Sequence, residues 1–106
     1  MRLAAAGASV AINYHSSSDG ADSAVRDINA AGGKAIAFRG DMTTEGDVAD
    51  LIETTQAAFG DQIDVLVHVT GGLIARKTIL EMDIDHWNRV MDLNATSFFR
   101  LVKAVV

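Results

Sequence analysis

DVLVHVTGG, residues 64–72, runs from a carboxylate through a nearly unbroken apolar segment into a threonine and two glycines. Length and composition make it a strand, and hydrophobicity this continuous suits a parallel strand covered on both faces. A strand that leaves a buried sheet beside a flat ligand needs residues with little or no side chain. Glycine also lets the backbone approach closely and turn sharply. The stretch, extended to IDVLVHV at 63–69, therefore reads as a central strand whose carboxyl end is built for close approach.

The elements around it alternate. Residues 2–6 read as the tail of a helix, with Gly7 at the left-handed position that ends it. SVAINY, 9–14, is a short β-like run, and HSSSDG after it is a turn cluster. Ala21, Ala24, Val25, Ile28 and Ala31 share one face of a helix over 18–31, which Gly32-Gly33 stops. KAIAFRGD, 34–41, is the next strand. Thr44 and Asp47 resemble a capping box ahead of Val48, Leu51, Ile52, Thr55 and Phe59 at helical spacing, and Gly60 closes that helix. A last helix begins near Asp83 and runs to the end. Its stripe, Trp87, Val90, Met91, Phe98, Leu101, Val102 and Val105, reads as core, with Phe99, Val102 and Val106 as a second apolar stripe.

Strand and helix signals in alternation predict an α/β fold: a parallel, Rossmann-like, doubly wound sheet with right-handed crossovers, in one domain over 1–106. Ligands in that architecture sit at the carboxyl ends of the strands. Tyr14-His15-Ser16, Asp41-Met42 and Val69 to Gly72 are thereby the candidate binding residues.

Composition narrows the function classes. The formal net charge is −5 with no basic run, which argues against nucleic acid and anionic membrane as partners. There is no cysteine, hence no disulfide framework and no thiolate metal site. His15, His68 and His86 lie on different elements, so no metal site is expected. No signal peptide or membrane span is visible in these residues, and the expectation is a soluble, cytoplasmic protein.

Four segments in register resemble the short-chain dehydrogenase/reductase family over essentially the whole chain. RLAAAGASVAINY resembles the end of its first helix and its second strand; GDMTTEGDV, the end of its third strand; IDVLVHVTGG, its fourth strand and the Asn-Asn-Ala-Gly turn; RVMDLNATSFFRLVKAVV, its long fifth helix. The turn departs from the family pattern, reading His68-Val69-Thr70-Gly71. Both bracing amides are thus absent, and His68 is either a ring hydrogen-bond substitute or a hydrogen-bonded core residue.

The resemblance implies an oxidoreductase that moves hydride between a nicotinamide dinucleotide and a small carbonyl or alcohol. It implies Asn94 as a member of the catalytic tetrad, at a helix kink that holds a relay water. It implies Asp41 facing the adenine ring, Met42 flanking that ring, and Val69, Thr70 and Gly71 lining the cofactor. The strand end Tyr14-His15-Ser16 carries no acid, and an acid there would select a free ribose 2′-hydroxyl. NADP is therefore favoured over NAD. The family's helix near Phe98-Phe99 contributes to a subunit interface, so a homo-oligomer is expected.

The family's first strand with its glycine-rich phosphate loop, and its catalytic Ser and Tyr-x-x-x-Lys, do not occur in residues 1–106. The expected identity is an incomplete domain: a fragment or truncated form of an oxidoreductase, or the ordered part of a longer chain, which by itself binds no cofactor appreciably. The alternative is a non-catalytic nucleotide-binding or oligomerising module. Arg76 and Lys77, in the loop GLIARKTI (72–79), read as solvated charges.

Overall fold

The computed structural model describes residues 1–106. Its elements are α1 (Arg2–Ala5), β1 (Ser9–Tyr14), α2 (Ser18–Ala30), β2 (Lys34–Arg39), α3 (Glu45–Phe59), α4 (Ile84–Met91), a π-helical turn (Asp92–Thr96) and α5 (Ser97–Val105). β1 and β2 are parallel, in register from Ser9 opposite Lys34 to Tyr14 opposite Arg39, with α2 as the crossover. This is the α/β, partial Rossmann-like arrangement that the sequence predicts.

Local chemistry explains the ends of these elements. Gly7 (φ +99°) follows α1 and Gly60 (φ +100°) follows α3, both in the left-handed region open to glycine. At the start of α3 the Thr44 hydroxyl accepts from the Asp47 N–H at 3.4 Å. The reciprocal half of the capping box is redirected: the Asp47 carboxylate accepts from the Asp41 N–H at 2.7 Å, not from Thr44. That pull helps end β2 at Arg39, two residues before the expected limit. α4 starts where the sequence places it, with the Asp83 carboxylate accepting from the His86 N–H at 2.7 Å.

The packing has two small centres. Ala4, Ile28 and Ala35 form one, with Val10, Ile12 and Val25 against it. Met42, Val48, Leu51 and Leu101 form the other, with Phe38 and Leu66 against it. Ala35 and Phe38 lie at odd and even positions of β2, so the centres occupy opposite faces of the sheet. The radius of gyration is 15.6 Å, whereas a compact chain of this length has about 13 Å.

The third strand differs from expectation. The sheet has two strands, in the order β1-β2. Residues 62–71 make no backbone–backbone hydrogen bond. The segment still alternates as a strand does. Val65, Val67 and Val69 are 67%, 61% and 89% exposed, whereas Leu66 packs on the second core centre and His68 turns toward α5. The doubly wound order 3-2-1-4 sets a further strand between β1 and this segment. No such strand lies within residues 1–106, so the edge toward β1 stays unpaired, while of its two faces only the Leu66 and His68 side is packed.

The aromatic stripe is a second correction. Trp87, Phe98 and Phe99 are 49%, 50% and 62% exposed. Only Leu101 of the expected stripe is fully buried. Helical spacing marks a face that wants cover; α4 packs chiefly on the adjoining π-helical turn and buries His86 but leaves Trp87 half exposed.

Candidate functional site

Two structural features build the candidate site. The first is the paired carboxyl end of β1 and β2. The Asn13 amide donates to the carbonyls of Phe38 (3.3 Å) and Gly40 (3.1 Å), and the Gly40 N–H donates to the Tyr14 carbonyl at 2.9 Å. These bonds hold the two strand ends side by side, Tyr14 half-buried and His15 and Ser16 exposed. Asp41 follows on the neighbouring strand, close enough to His15 for their charges to interact.

Asp41 is partly committed. Its Oδ1 accepts from the Thr43 hydroxyl at 2.6 Å and the Thr43 N–H at 2.9 Å. Those bonds, with a smaller contribution from His15, hold its pKa below the ordinary 3.8 against a weaker desolvation effect. Oδ2 has no protein partner. A carboxyl depressed in the folded state is protonated more readily in the unfolded chain. Its stabilising contribution is complete above the ordinary pKa and lost as pH falls through the folded value. Asp41→Asn is therefore expected to flatten the acid limb of the stability curve below about pH 4, as read by urea denaturation across pH. An unchanged acid limb would assign that dependence elsewhere.

Met42, expected beside the adenine ring, is 3% exposed and packs in the core with Val48, Leu51 and Leu101. An apolar residue just after a strand serves packing here. Arg100 ties the same corner to α5 by donating from Nη1 to the Thr43 carbonyl. Asn13, Thr43 and Arg100 position this edge, yet sequence reading assigned them no role. Their partners lie 25, 2 and 57 positions away, and only the Asp-x-Thr spacing of the middle pair carries a local signal.

The second feature answers why the opening stretch ends in paired glycines. The Asn94 side chain clasps Gly72: Nδ2 donates to the Gly72 carbonyl at 2.7 Å, and Oδ1 accepts from the Gly72 N–H at 2.9 Å. Nδ2 also donates to the Val90 carbonyl at 2.8 Å, within the same long helical segment. A Cβ on Gly71 would stand 2.7 Å from Asn94 Oδ1, closer than such atoms approach. The glycine is there so that the amide of Asn94 can reach the turn.

Asn94 lies at the centre of the π-helical turn Asp92–Thr96, a local widening often found at functional sites. Ser97, fully buried, donates from its hydroxyl to the Leu93 carbonyl at 2.6 Å. His68 Nε2 lies 3.3 Å from the Ser97 hydroxyl, and the ring meets Phe98 edge-on at 5.3 Å. His68 thus braces its segment against α5, while Asn94 braces the turn. Val69 and Gly71 are exposed and Thr70 is half-buried. Arg76 and Lys77 are exposed in the loop beyond.

No group of three or more His, Asp or Glu side chains is arranged to hold a metal ion. No helix is long and apolar enough to cross a membrane.

Comparison with known proteins agrees with this geometry. The family model described as Enoyl-(Acyl carrier protein) reductase matches residues 1–106. The chain is 43% identical over 106 residues to a 3-oxoacyl-[acyl-carrier-protein] reductase of Synechocystis sp., covering 99% of this chain and 42% of that protein. It is 35% identical over 97 residues to glucose 1-dehydrogenase 2 of Bacillus subtilis, covering 92% and 37%. Among solved structures, a short-chain dehydrogenase from Burkholderia cenocepacia in complex with NADP superposes with a TM-score of 0.90 at 30% identity, over 98% of this chain and 42% of that one. An NADH-dependent reductase complexed with NAD gives 0.88 at 32% identity, over 99% and 43%. The chain therefore spans less than half the length of the proteins it resembles, at 42% of the Synechocystis reductase. With the whole of its length matched and its backbone superposed on theirs, the chain belongs to the short-chain dehydrogenase/reductase family.

Proposed function

We propose that these residues supply the adenosine side of the cofactor site and the relay helix of an oxidoreductase, one that transfers hydride between a nicotinamide dinucleotide and a small carbonyl or alcohol. The observation that carries the reading is the clasp of Asn94 on Gly72, which fixes a π-helical turn against the end of the 63–69 segment. A rigid turn at that place supports a proton path better than a fraying one.

Three features of the chain suit a dinucleotide. Asp41 keeps one carboxylate oxygen without a protein partner, an acceptor for an adenine amino group. Tyr14, His15 and Ser16 end β1 beside it, where a ribose would lie. Val69, Thr70 and Gly71 have unbonded backbone groups at the end of the next segment. The nicotinamide supplies the hydride when bound. The chain's part is to seat the adenosine, and to hold the helix at Asn94 open for a water on the proton path.

NADP is the preferred cofactor in this proposal, because no acidic side chain lies between Asn13 and Ser18 to repel a 2′-phosphate, while His15 and two serines are exposed there. The test joins the chain to the flanking segments of the Synechocystis reductase and titrates NADPH and NADH by fluorescence. NADPH is expected to bind more tightly. NADH binding tighter by about tenfold would overturn the preference. Failure to reduce any of a panel of carbonyls with either cofactor would overturn the oxidoreductase reading itself.

A further inference from the structure

We propose that Arg100 is a positioning residue for the cofactor's base: from α5 it holds the 41–44 turn so that the free carboxylate oxygen of Asp41 meets an adenine amino group. The inference rests on the reading of Asp41 as the adenine acceptor, and adds the residue that makes that acceptor selective. The other bonds of the turn are local. The Asp41 N–H donates to the Asp47 carboxylate at 2.7 Å. The Asp41 carbonyl accepts from the Thr44 N–H and the Thr44 hydroxyl, both at 3.0 Å. Asp41 Oδ1 accepts twice from Thr43. These partners lie within six positions of one another, so they shape the turn without fixing where it stands on the fold. The hydrogen bond that reaches outside runs from Arg100 Nη1 to the Thr43 carbonyl, across 57 positions.

An arginine is more than packing needs at this place. Met42 shares a core centre with Leu101, the next residue of α5, and that contact already seats the turn on the helix. An apolar stem alone would complete the cover. The half-buried guanidinium instead directs a charged donor at a backbone carbonyl, which fixes orientation. With its carbonyl held, Thr43 keeps its N–H and hydroxyl aimed at Oδ1, and Oδ2 is the oxygen left to a ligand. Arg100 does not act on Asp41 by charge: the groups that hold that carboxyl's pKa low are Thr43 and, less strongly, His15. Its influence therefore passes through Thr43. Adenine offers Oδ2 an amino donor. Hypoxanthine carries a carbonyl oxygen in that place, which a carboxylate repels. Selectivity between the two bases thus measures how firmly Oδ2 is placed.

The test uses the chain completed with the flanking segments of the Synechocystis reductase. It is titrated by fluorescence with NADPH, NADH and the deamino form of each, in which hypoxanthine replaces adenine. The unsubstituted protein is expected to favour adenine by about tenfold or more. Arg100→Met, which keeps the apolar stem, should reduce that preference to about threefold or less. Arg100→Lys, which can still donate to the carbonyl, should keep most of it. Added to Asp41→Asn, Arg100→Met should leave the ratio where Asp41→Asn alone puts it, because the two residues act in series. Arg100→Gln, too short to reach the carbonyl, replaces Arg100→Met should circular dichroism show that variant unfolded. In the 106-residue chain, the Asp41 carboxyl carbon followed by NMR should titrate at higher pH in Arg100→Met, since a loosened Thr43 no longer favours the carboxylate. An adenine preference that survives Arg100→Met, or an unmoved Asp41 titration, would overturn the proposal and leave the role of Asp41 standing. No preference in the unsubstituted protein would overturn the adenine reading, and this proposal with it.

Discussion

Asn94→Ala, in the chain completed with the flanking segments of a relative, is expected to lower kcat by about a hundredfold or more. Its Kd for the cofactor should change by less than about threefold. The split follows from what the side chain touches. Asn94 bonds to both backbone groups of Gly72 and to the Val90 carbonyl, and no contact in the chain links it to the Tyr14–Asp41 edge. Removing the amide frees the turn and lets the π-helical segment relax toward an ordinary helix. That closes the widened place where a relay water would sit, while leaving the adenosine edge intact. Asn94→Asp should not rescue turnover, because a carboxylate cannot donate to the Gly72 and Val90 carbonyls. Gly71→Ala should act in the same direction, since its Cβ would press on Asn94 Oδ1 from 2.7 Å. An unchanged kcat in Asn94→Ala would reduce the clasp to a purely structural role.

The second large effect concerns the split sheet. In the 106-residue chain at low micromolar concentration, amides of residues 62–71 are expected to exchange within about tenfold of the rate of an unstructured peptide. Those inside β1 and β2 should be slower by about a thousandfold or more. The contrast comes from bonding alone: β1 and β2 form a continuous parallel ladder, and residues 62–71 have no backbone partner. Protection of 62–71 equal to that of β2 in the dilute chain would mean that the segment had closed onto β1.

Much of the fold is legible because its signals are local. β1 follows SVAINY at Ser9–Tyr14, α2 ends at Ala30 one residue before the limit read from the sequence, and α3 starts directly behind Thr44. Caps and glycines decide those boundaries within a few residues of themselves. The hydrophobicity of 63–69 is equally local, and its alternating burial is strand-like. Its pairing is not local, because a ladder belongs to two strands and the second is not among these residues. The same physics exposes Trp87 and Phe98: an apolar stripe reports the need for cover, not its presence.

The site divides the same way. Asn94 stands out as an amide in an apolar helix, but its partner Gly72 is 22 positions away, and no spacing rule connects them. Asp41 is legible as a strand-end acid. That Thr43 occupies one of its oxygens follows from a short turn which sequence allows but does not compel. Met42 reads as a ligand neighbour; that Val48, Leu51 and Leu101 also close over it is a long-range contact with no local signal.

Calorimetric titration of the 106-residue chain with NADPH and NADH tests most directly the central claim, that these residues hold the adenosine edge and the relay helix of the site but not its phosphate cradle. In this architecture the pyrophosphate is held by a helix N-terminus that follows the strand between β1 and residues 63–69. Without it, the adenosine contacts of Tyr14, His15, Ser16 and Asp41 act alone. We predict dissociation constants weaker than about 1 mM, equivalent to less than about 4 kcal/mol of binding, for both cofactors. A micromolar constant for either one, with one site per chain, would contradict the claim.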